Sequence, residues 1–316
     1  MTTENAHIYQ LSLQTPRGML TASFNALGAR QVALALDGEN ALQPYDTSAR
    51  PPFGTGIVMF PWVNRLRDGH FSHLGKTYRS AITEARTNNA LHGLLRDRVY
   101  EVTNQTDSSI TFSAELEALD SYPSPMTFSV TYQLVDAGFT ATYSAKNHGQ
   151  EPAPFSTGAH PYFVIGQTPT PDLMIQIPAA SYLRLDARQL PVAKESVVDS
   201  QLDAREPVRV GDFMTDTDFT DLERDDLGIA RVCLSEPGFG QVSGKRTTEI
   251  WLDAAFKHVH VYSTPLYPIA EGETIHAVAI EPVTAGPDAL NTRDDLVTLS
   301  PDQTWSASWG VRLLDW

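Results

Sequence analysis

The sequence predicts an all-β protein, a large antiparallel β-sandwich with few short helices. Three observations carry that expectation. Short segments alternate apolar and polar residues with period two, 21 prolines and 20 glycines punctuate them, and no long apolar stripe of 3.6-residue period appears. A chain of 316 residues has room for two domains of ordinary size. Large sandwiches nevertheless run this long as one unit, and no repeat, low-complexity tract or linker interrupts the sequence. A single domain spanning 1–316 is therefore expected. Folding at this size buries about three quarters of the surface of the unfolded chain. The core needs no staple, and a lone cysteine, Cys233, excludes an internal disulfide framework.

The elements follow in order. Phe71-Ser72-His73 and Thr77-Tyr78-Arg79 flank Leu74-Gly75-Lys76 and read as a hairpin. Met126, Phe128, Val130, Tyr132 and Leu134 share one face of a strand, and Phe139–Ser144 returns after the turn Asp136-Ala137-Gly138. The acidic, aromatic-poor region 195–230 reads as a long surface excursion, with a short helix beginning near Asp218-Phe219-Thr220-Asp221-Leu222. Cys233, in Ala-Arg-Val-Cys-Leu, reads as a small core residue rather than a nucleophile. Val259 and Val261 alternate with His258, His260 and Tyr262. Ala277-Val278-Ala279-Ile280 is a short apolar strand covered on both faces. Trp305–Val311 closes the chain as an edge-type strand.

Charge narrows the function. The chain is 41% hydrophobic and 19% charged, and 23 Lys and Arg against 38 Asp and Glu give −15. That excess repels phosphate backbones and anionic membrane, so neither nucleic acid nor a lipid surface is an expected partner. A neutral small ligand fits better. The stretch Met1–His7 has neither a basic n-region nor an apolar h-region, and no apolar run is long enough to span a bilayer. The sequence reads as cytoplasmic.

Four stretches place one ionisable side chain at the end of an expected strand. They are Phe60-Pro61-Trp62-Val63-Asn64-Arg65, Asn88-Asn89-Ala90-Leu91-His92-Gly93, Gly158-Ala159-His160-Pro161-Tyr162-Phe163 and Ile280-Glu281-Pro282-Val283-Thr284. If they converge, two histidines, a carboxylate and an arginine around an aromatic floor suit a polyhydroxylated neutral ligand. Arg65 and Asn64 bond hydroxyl oxygens, and Trp62 or Tyr162 covers an apolar sugar face. A Glu and a His also form a base and acid near pH 7. Plainer readings stand beside these. A single strand histidine is more often structural, and Arg65 equally suits a surface ion pair with Asp68. Glu281 is the hardest to explain that way, because a carboxylate directly after Ala-Val-Ala-Ile needs a partner or a task. His258 and His260 share a strand face, as metal ligands do, but no Cys or third His stands at matching spacing. No metal ion is expected.

Taken together, these stretches resemble the aldose 1-epimerase family, the mutarotases of the galactose mutarotase-like fold. The resemblance covers most of the chain, from Gly28-Ala29-Arg30 through Asn64-Arg65, the Gly75 hairpin, Leu91-His92-Gly93 and His160-Pro161-Tyr162-Phe163. It ends at Glu281-Pro282 and the closing strand after Ser300-Pro301. It implies the galactose mutarotase-like supersandwich. It also implies a catalytic base at Glu281, a catalytic acid at His160, a further site histidine at His92 and a sugar-binding arginine at Arg65 with Asn64 beside it. A sugar-binding Asp three residues before a Phe falls at Asp216, with Asp218 and Asp221 competing for the role. Val164-Ile165 replaces the Asn-Leu that usually follows His-Pro-Tyr-Phe in galactose mutarotases, so a preference for galactose is not implied.

The implied activity is interconversion of the α and β anomers of an aldohexose, with no cofactor, in a monomer or homodimer. Glu281 would act as the anion and His160 as the cation, each favouring the other's charge. Two alternatives remain. A hexose 6-phosphate substrate would draw on Arg67, Arg96 and Arg98. A non-catalytic sugar-binding module on the same scaffold would need no matched acid and base.

Overall fold

Alternation of apolar and polar side chains gives each strand one face for a core, and two large sheets share that core here. The structure, a computed structural model, describes residues 8–47, 51–237 and 245–316. The Met1–His7 stretch read for a leader lies outside them. One sheet has nine antiparallel strands in the order Glu101–Gln105, Ser109–Leu116, Met126–Val135, Gly138–Asn147, Thr304–Leu314, Thr247–Leu252, Ala230–Ser235, Met174–Gln176 and Val208–Arg209. The other runs Pro191–Ser196, Ala179–Leu185, Asp216–Leu222, His258–Ala270, Glu273–Val283, Gly158–Ala159 and Val58–Met59, with Tyr162–Phe163 also paired to Glu273–Val283. A four-stranded sheet, Ile8–Thr15 to Glu39–Asn40, adds Phe24, which stacks on Tyr132 at 4.2 Å between ring centroids.

Phe128, Val130 and Tyr132 of the nine-stranded sheet are buried in one cluster with Phe219, Val259, Val261, Val278 and Ile280 of the eight-stranded sheet. Burying side chains of this size contributes about 1.5–3 kcal/mol each. The fold is the expected antiparallel sandwich, and the α-helix found among the described residues is the four-residue Ala289–Thr292. No helix among them is long and apolar enough to cross a membrane.

The same alternation decides what stands on the other face of the eight-stranded sheet. Val259, Val261, Val278 and Ile280 point into the sandwich, so His258, His260, Ala277, Ala279 and Glu281 point away from it. Tyr162 and Tyr267 cover Ala277 and Ala279 there. The hairpins expected at 71–79 and 126–144 form as His70–His73 with Lys76–Arg79 and Met126–Val135 with Gly138–Asn147.

Three local expectations are corrected. The stretch Asp218–Leu222 is no helix: it belongs to the strand Asp216–Leu222, held between Ala179–Leu185 and His258–Ala270. Its carboxylates meet imidazoles across the sheet, which only an extended backbone permits. Region 195–230 is accordingly not a surface excursion throughout, since it supplies this interior strand. The closing strand Thr304–Leu314 is not an edge either. It pairs with Gly138–Asn147 on one side and Thr247–Leu252 on the other, and buries Ala307, Trp309 and Val311.

Candidate active site

Strand register lines up the first part of the site. Asp218 lies opposite His260, and His260 lies opposite Glu281, across three neighbouring strands and on one face. Glu281 is 1% exposed. On its other side, Tyr162–Phe163 and Gly158–Ala159 pair with the same Glu273–Val283 strand and bring His160 to it. His160 donates its backbone N–H to the Ile57 carbonyl and accepts from the Gly56 N–H. Gly158 has to be small, because a Cβ there would stand 2.5 Å from the Pro282 carbonyl oxygen. His160 Nε2 consequently lies 3.3 Å from Glu281 Oε1, with its ring stacked on Tyr162.

A second pair of segments supplies the facing wall. Arg65–Arg67 pairs with Asn89–Leu91, and the His92 N–H donates to the Asn64 carbonyl. Asn64 and His92 both adopt left-handed backbone, at φ 47° and 61°. Asn and His tolerate this region better than most side chains, and such conformations gather at functional sites. Gly93 follows at φ 78°, where a Cβ would lie 2.2 Å from the Phe60 carbonyl oxygen. The His92-Gly93 turn is thereby pressed onto the Phe60–Arg65 segment, and the His92 and His160 rings meet edge to face at 5.3 Å.

These segments enclose a cavity of about 280 Å³. Asn64, Arg65, His92, His160, Asp216, His260 and Glu281 line it, together with Phe53, Tyr262, Glu84, Arg86 and Arg96. Arg65 is fixed by a two-point fork to Glu84, at 2.8 and 3.0 Å. Glu281 Oε2, His160 Nδ1 and His92 Nδ1 are buried atoms of lining residues that have no hydrogen-bond partner among the described residues. Buried polar atoms are rarely left so, and a ligand bearing hydroxyl groups would satisfy them.

Electrostatics divides the site in two. Burial pushes the Glu281 carboxyl up to about 8, with Asp216 and Asp218 adding to the rise and His260 and Arg65 opposing it. Burial pushes His160 down to about 3, and the adjacent His260 charge adds to that. Burial, joined by the charges of Arg96 and Arg65, holds His92 well below its ordinary value. His260 goes the other way. Burial opposes its charge, but Glu281, Asp216 and Asp218 outweigh it and raise the imidazole to about 10. In the empty cavity burial therefore pushes both members of the Glu281–His160 couple toward their neutral forms. Low polarity penalises separating the charges, and His260 already supplies a cation.

Of the residues singled out in the sequence, Glu281, His160, His92, Arg65, Asn64 and Asp216 meet at the cavity. Among the three aspartates, only Asp216 lines it. Asp218 is enclosed between His258 and His260, and Asp221 pairs with Lys194 at 3.0 Å. Trp62 and Tyr162 do not line it. Trp62 is packed in the main core, and Tyr162 lies behind His160. Phe53 and Tyr262 stand at the cavity instead, edge to face at 5.9 Å.

Arg65 does not pair with Asp68, which binds Arg188 at 2.6 Å. Of the arginines considered for a phosphate, Arg96 reaches the cavity, Arg67 pairs with Asp288, and Arg98 lines a separate shallow cleft. Cys233 is half-buried and its thiol is pushed up to about 11 by burial, which disfavours the thiolate. Sequence reasoning missed Glu84 and the place of His260 in the cavity wall. The signal for His260 was present in the spacing Asp216-x-Asp218 and His258-x-His260, two strands whose ionisable groups are opposite in sign.

Comparison with known proteins bears on the family and the fold. A family model described as Aldose 1-epimerase matches residues 9–311. The uncharacterized protein YihR of Escherichia coli (strain K12) is 26% identical over 298 residues, covering 93% of this chain and 91% of its own. An aldose epimerase homologue from C. elegans superimposes with a TM-score of 0.81 at 20% identity, over 97% of this chain and 99% of that one. A galactose mutarotase-like protein from Clostridium acetobutylicum gives 0.79 at 19% identity, over 98% of both chains.

Proposed function

The chain belongs to the aldose 1-epimerase family, and from that premise we propose that it interconverts the α and β anomers of a free aldohexose by opening and reclosing the ring. The observation that carries this reading is the contact of Glu281 with His160, 3.3 Å apart at a cavity where Glu281 Oε2, His160 Nδ1 and His92 Nδ1 lack partners among the described residues. A binding module has no need of a carboxyl and an imidazole sharing one proton.

The step balances with two proton transfers. Glu281 takes the proton of the anomeric hydroxyl, and protonated His160 gives one to the ring oxygen. The C1–O5 bond breaks and leaves an open-chain aldehyde. Rotation about C1–C2 presents the other carbonyl face, and reclosure returns both protons. No electrons leave the sugar, so the reaction itself calls for no cofactor. The couple ends ring opening with its proton on Glu281 and a neutral His160, which is the distribution that burial favours in the empty cavity. Hydroxyl groups donating to Glu281 Oε2 favour the carboxylate, so the bound sugar starts the couple in the opposite state. Arg65, Asn64, His92 and Asp216 hold ring substituents, and Arg65 and His92 stabilise oxygen charge as the ring opens.

Anomer-exchange NMR across free aldoses and their 6-phosphates tests this reading. Accelerated exchange of a free aldohexose is the expected result. Saturable binding with no acceleration would replace it with a sensor, and a rate confined to a 6-phosphate would change the substrate class.

A further inference from the structure

We propose that His260 is a positioning residue, a cation built into the sheet that keeps the buried Glu281 able to give up its proton near neutral pH. The proposal rests on reading Glu281 as the base. His260 stands directly opposite Glu281 in strand register, a placement that brings Cβ atoms to about 4.5–5.5 Å.

The surroundings of His260 favour the charge. Its Nε2 lies 2.8 Å from Asp216 Oδ1, and its Nδ1 faces Asp218 Oδ2 at 3.8 Å. Asp216 lies at hydrogen-bond distance from an Nε2–H, and the Asp218 carboxylate, beyond that distance, adds attraction for a positive ring. The Asn64 amide nitrogen lies 3.5 Å from each ring nitrogen. Asp218 is held as a carboxylate by a second imidazole, since His258 Nδ1 lies 2.6 Å from its Oδ1. His258 Nε2 lies 3.0 Å from Asp295, which also accepts from Lys257 at 2.6 Å. Charges of alternating sign thus run from the cavity wall to the surface.

Glu281 needs that cation. Asp216 and Asp218 on the Asp216–Leu222 strand disfavour its ionisation, as does its own burial. His160 and Tyr162, on the 158–163 segment, bring no charge in the empty site. Arg65, reaching in from Arg65–Arg67, is already forked onto Glu84. His260 is the remaining positive group facing it among the described residues.

The test is a carboxyl ¹³C NMR titration of Glu281 in the wild type and in His260→Gln, whose amide still donates to Asp216. An opposite charge at this range moves a carboxyl by about 1–3 pH units. The Glu281 midpoint should rise by that amount, and the acid limb of kcat/KM should follow with little change in KM. A midpoint that stays or falls in a folded variant overturns the proposal. Should His260→Gln not fold, ¹⁵N shifts of the wild-type imidazoles decide: two N–H nitrogens on His260 at pH 8 are expected, and a neutral ring overturns it. A wild type without mutarotation sinks the functional reading alone, because neither titration depends on turnover.

Discussion

Two imidazole–carboxylate couples are buried on the same face of one sheet, and they end in opposite charge states. His258 and Asp218 form an ion pair: the imidazole is raised to about 9 and the carboxyl is held below its ordinary value, each by the other against burial. His160 and Glu281 are pushed toward neutrality, to about 3 and about 8, chiefly by burial. Distance is part of the difference, 2.6 Å against 3.3 Å. Saturation is the larger part. His258 has a carboxylate at each ring nitrogen and Asp218 faces two imidazoles, whereas His160 Nδ1 and Glu281 Oε2 have no partner among the described residues. A couple with every position filled is fixed in charge. One with open positions can have its proton moved by whatever enters the cavity.

The comparison breaks most visibly at Glu281. Glu281→Gln should depress mutarotation by at least about 10²–10⁴-fold, the contribution of one general acid or base, without destabilising the protein. Near-normal rates by polarimetry would show that the unsaturated couple is not the reactive one. At the saturated couple the effects should change places. Asp218→Ala leaves His258 and His260 short of a carboxylate, and removing one partner of a buried ion pair costs about 3–5 kcal/mol. Urea unfolding measures this, and a loss below about 1 kcal/mol would mean that Asp218 is no anchor.

The pH dependence of stability separates the couples by window. His258 and His260 are raised above their unfolded value, so their stabilisation is complete below about pH 6.5 and is lost as pH climbs through about 9 and 10. Glu281, raised from 4.5 to about 8, loses its contribution earlier, as pH climbs between those two values. Thermal melts of Glu281→Gln should therefore gain on the wild type between pH 5 and 8. Those of Asp218→Ala should converge with it as pH climbs from about 6.5 to about 10. Identical pH profiles for the two variants would erase the distinction. A smaller effect is expected at Arg65→Lys, which loses the fork to Glu84. A hydrogen bond to a charged group contributes about 1.5–3 kcal/mol, so KM should rise about tenfold or more with kcat less affected.

Much of this was legible in the sequence, and what was not has a common cause. Period-two alternation exposed the strands of Met126–Val135 and Gly138–Asn147 because one face of each is apolar. The four polar stretches were visible because each sets a chemical residue beside aromatic and turn residues. Asp218, read as the start of a helix, was opaque for a different reason. Its neighbours in space are His258 and His260, forty residues on, and only the register pairs them. The same holds for Glu84, invisible as a partner until Arg65–Arg67 and Asn89–Leu91 bring the two segments together. Trp62 misled because an aromatic residue beside Asn64-Arg65 suits a ligand floor and a core equally, and the sandwich claimed it for the core.

Tyr162 gives the smallest expected effect and the finest test. Its ring stacks on His160 with centroids 5.3 Å apart, and its buried hydroxyl has no partner among the described residues. A ring that only supports His160 keeps all its contacts in Tyr162→Phe, and loses a hydroxyl that costs free energy to bury unpaired. Stability should then hold or rise slightly, within about 0.5 kcal/mol, and both kcat and KM should stay within about twofold, since no charged or hydrogen-bonded group is removed. If the hydroxyl instead reaches past His160 to the sugar, KM alone should climb by about tenfold, one lost hydrogen bond. The aromatic residue of His160-Pro161-Tyr162-Phe163 would then belong to the unsaturated couple as a ligand rather than beneath it as a floor.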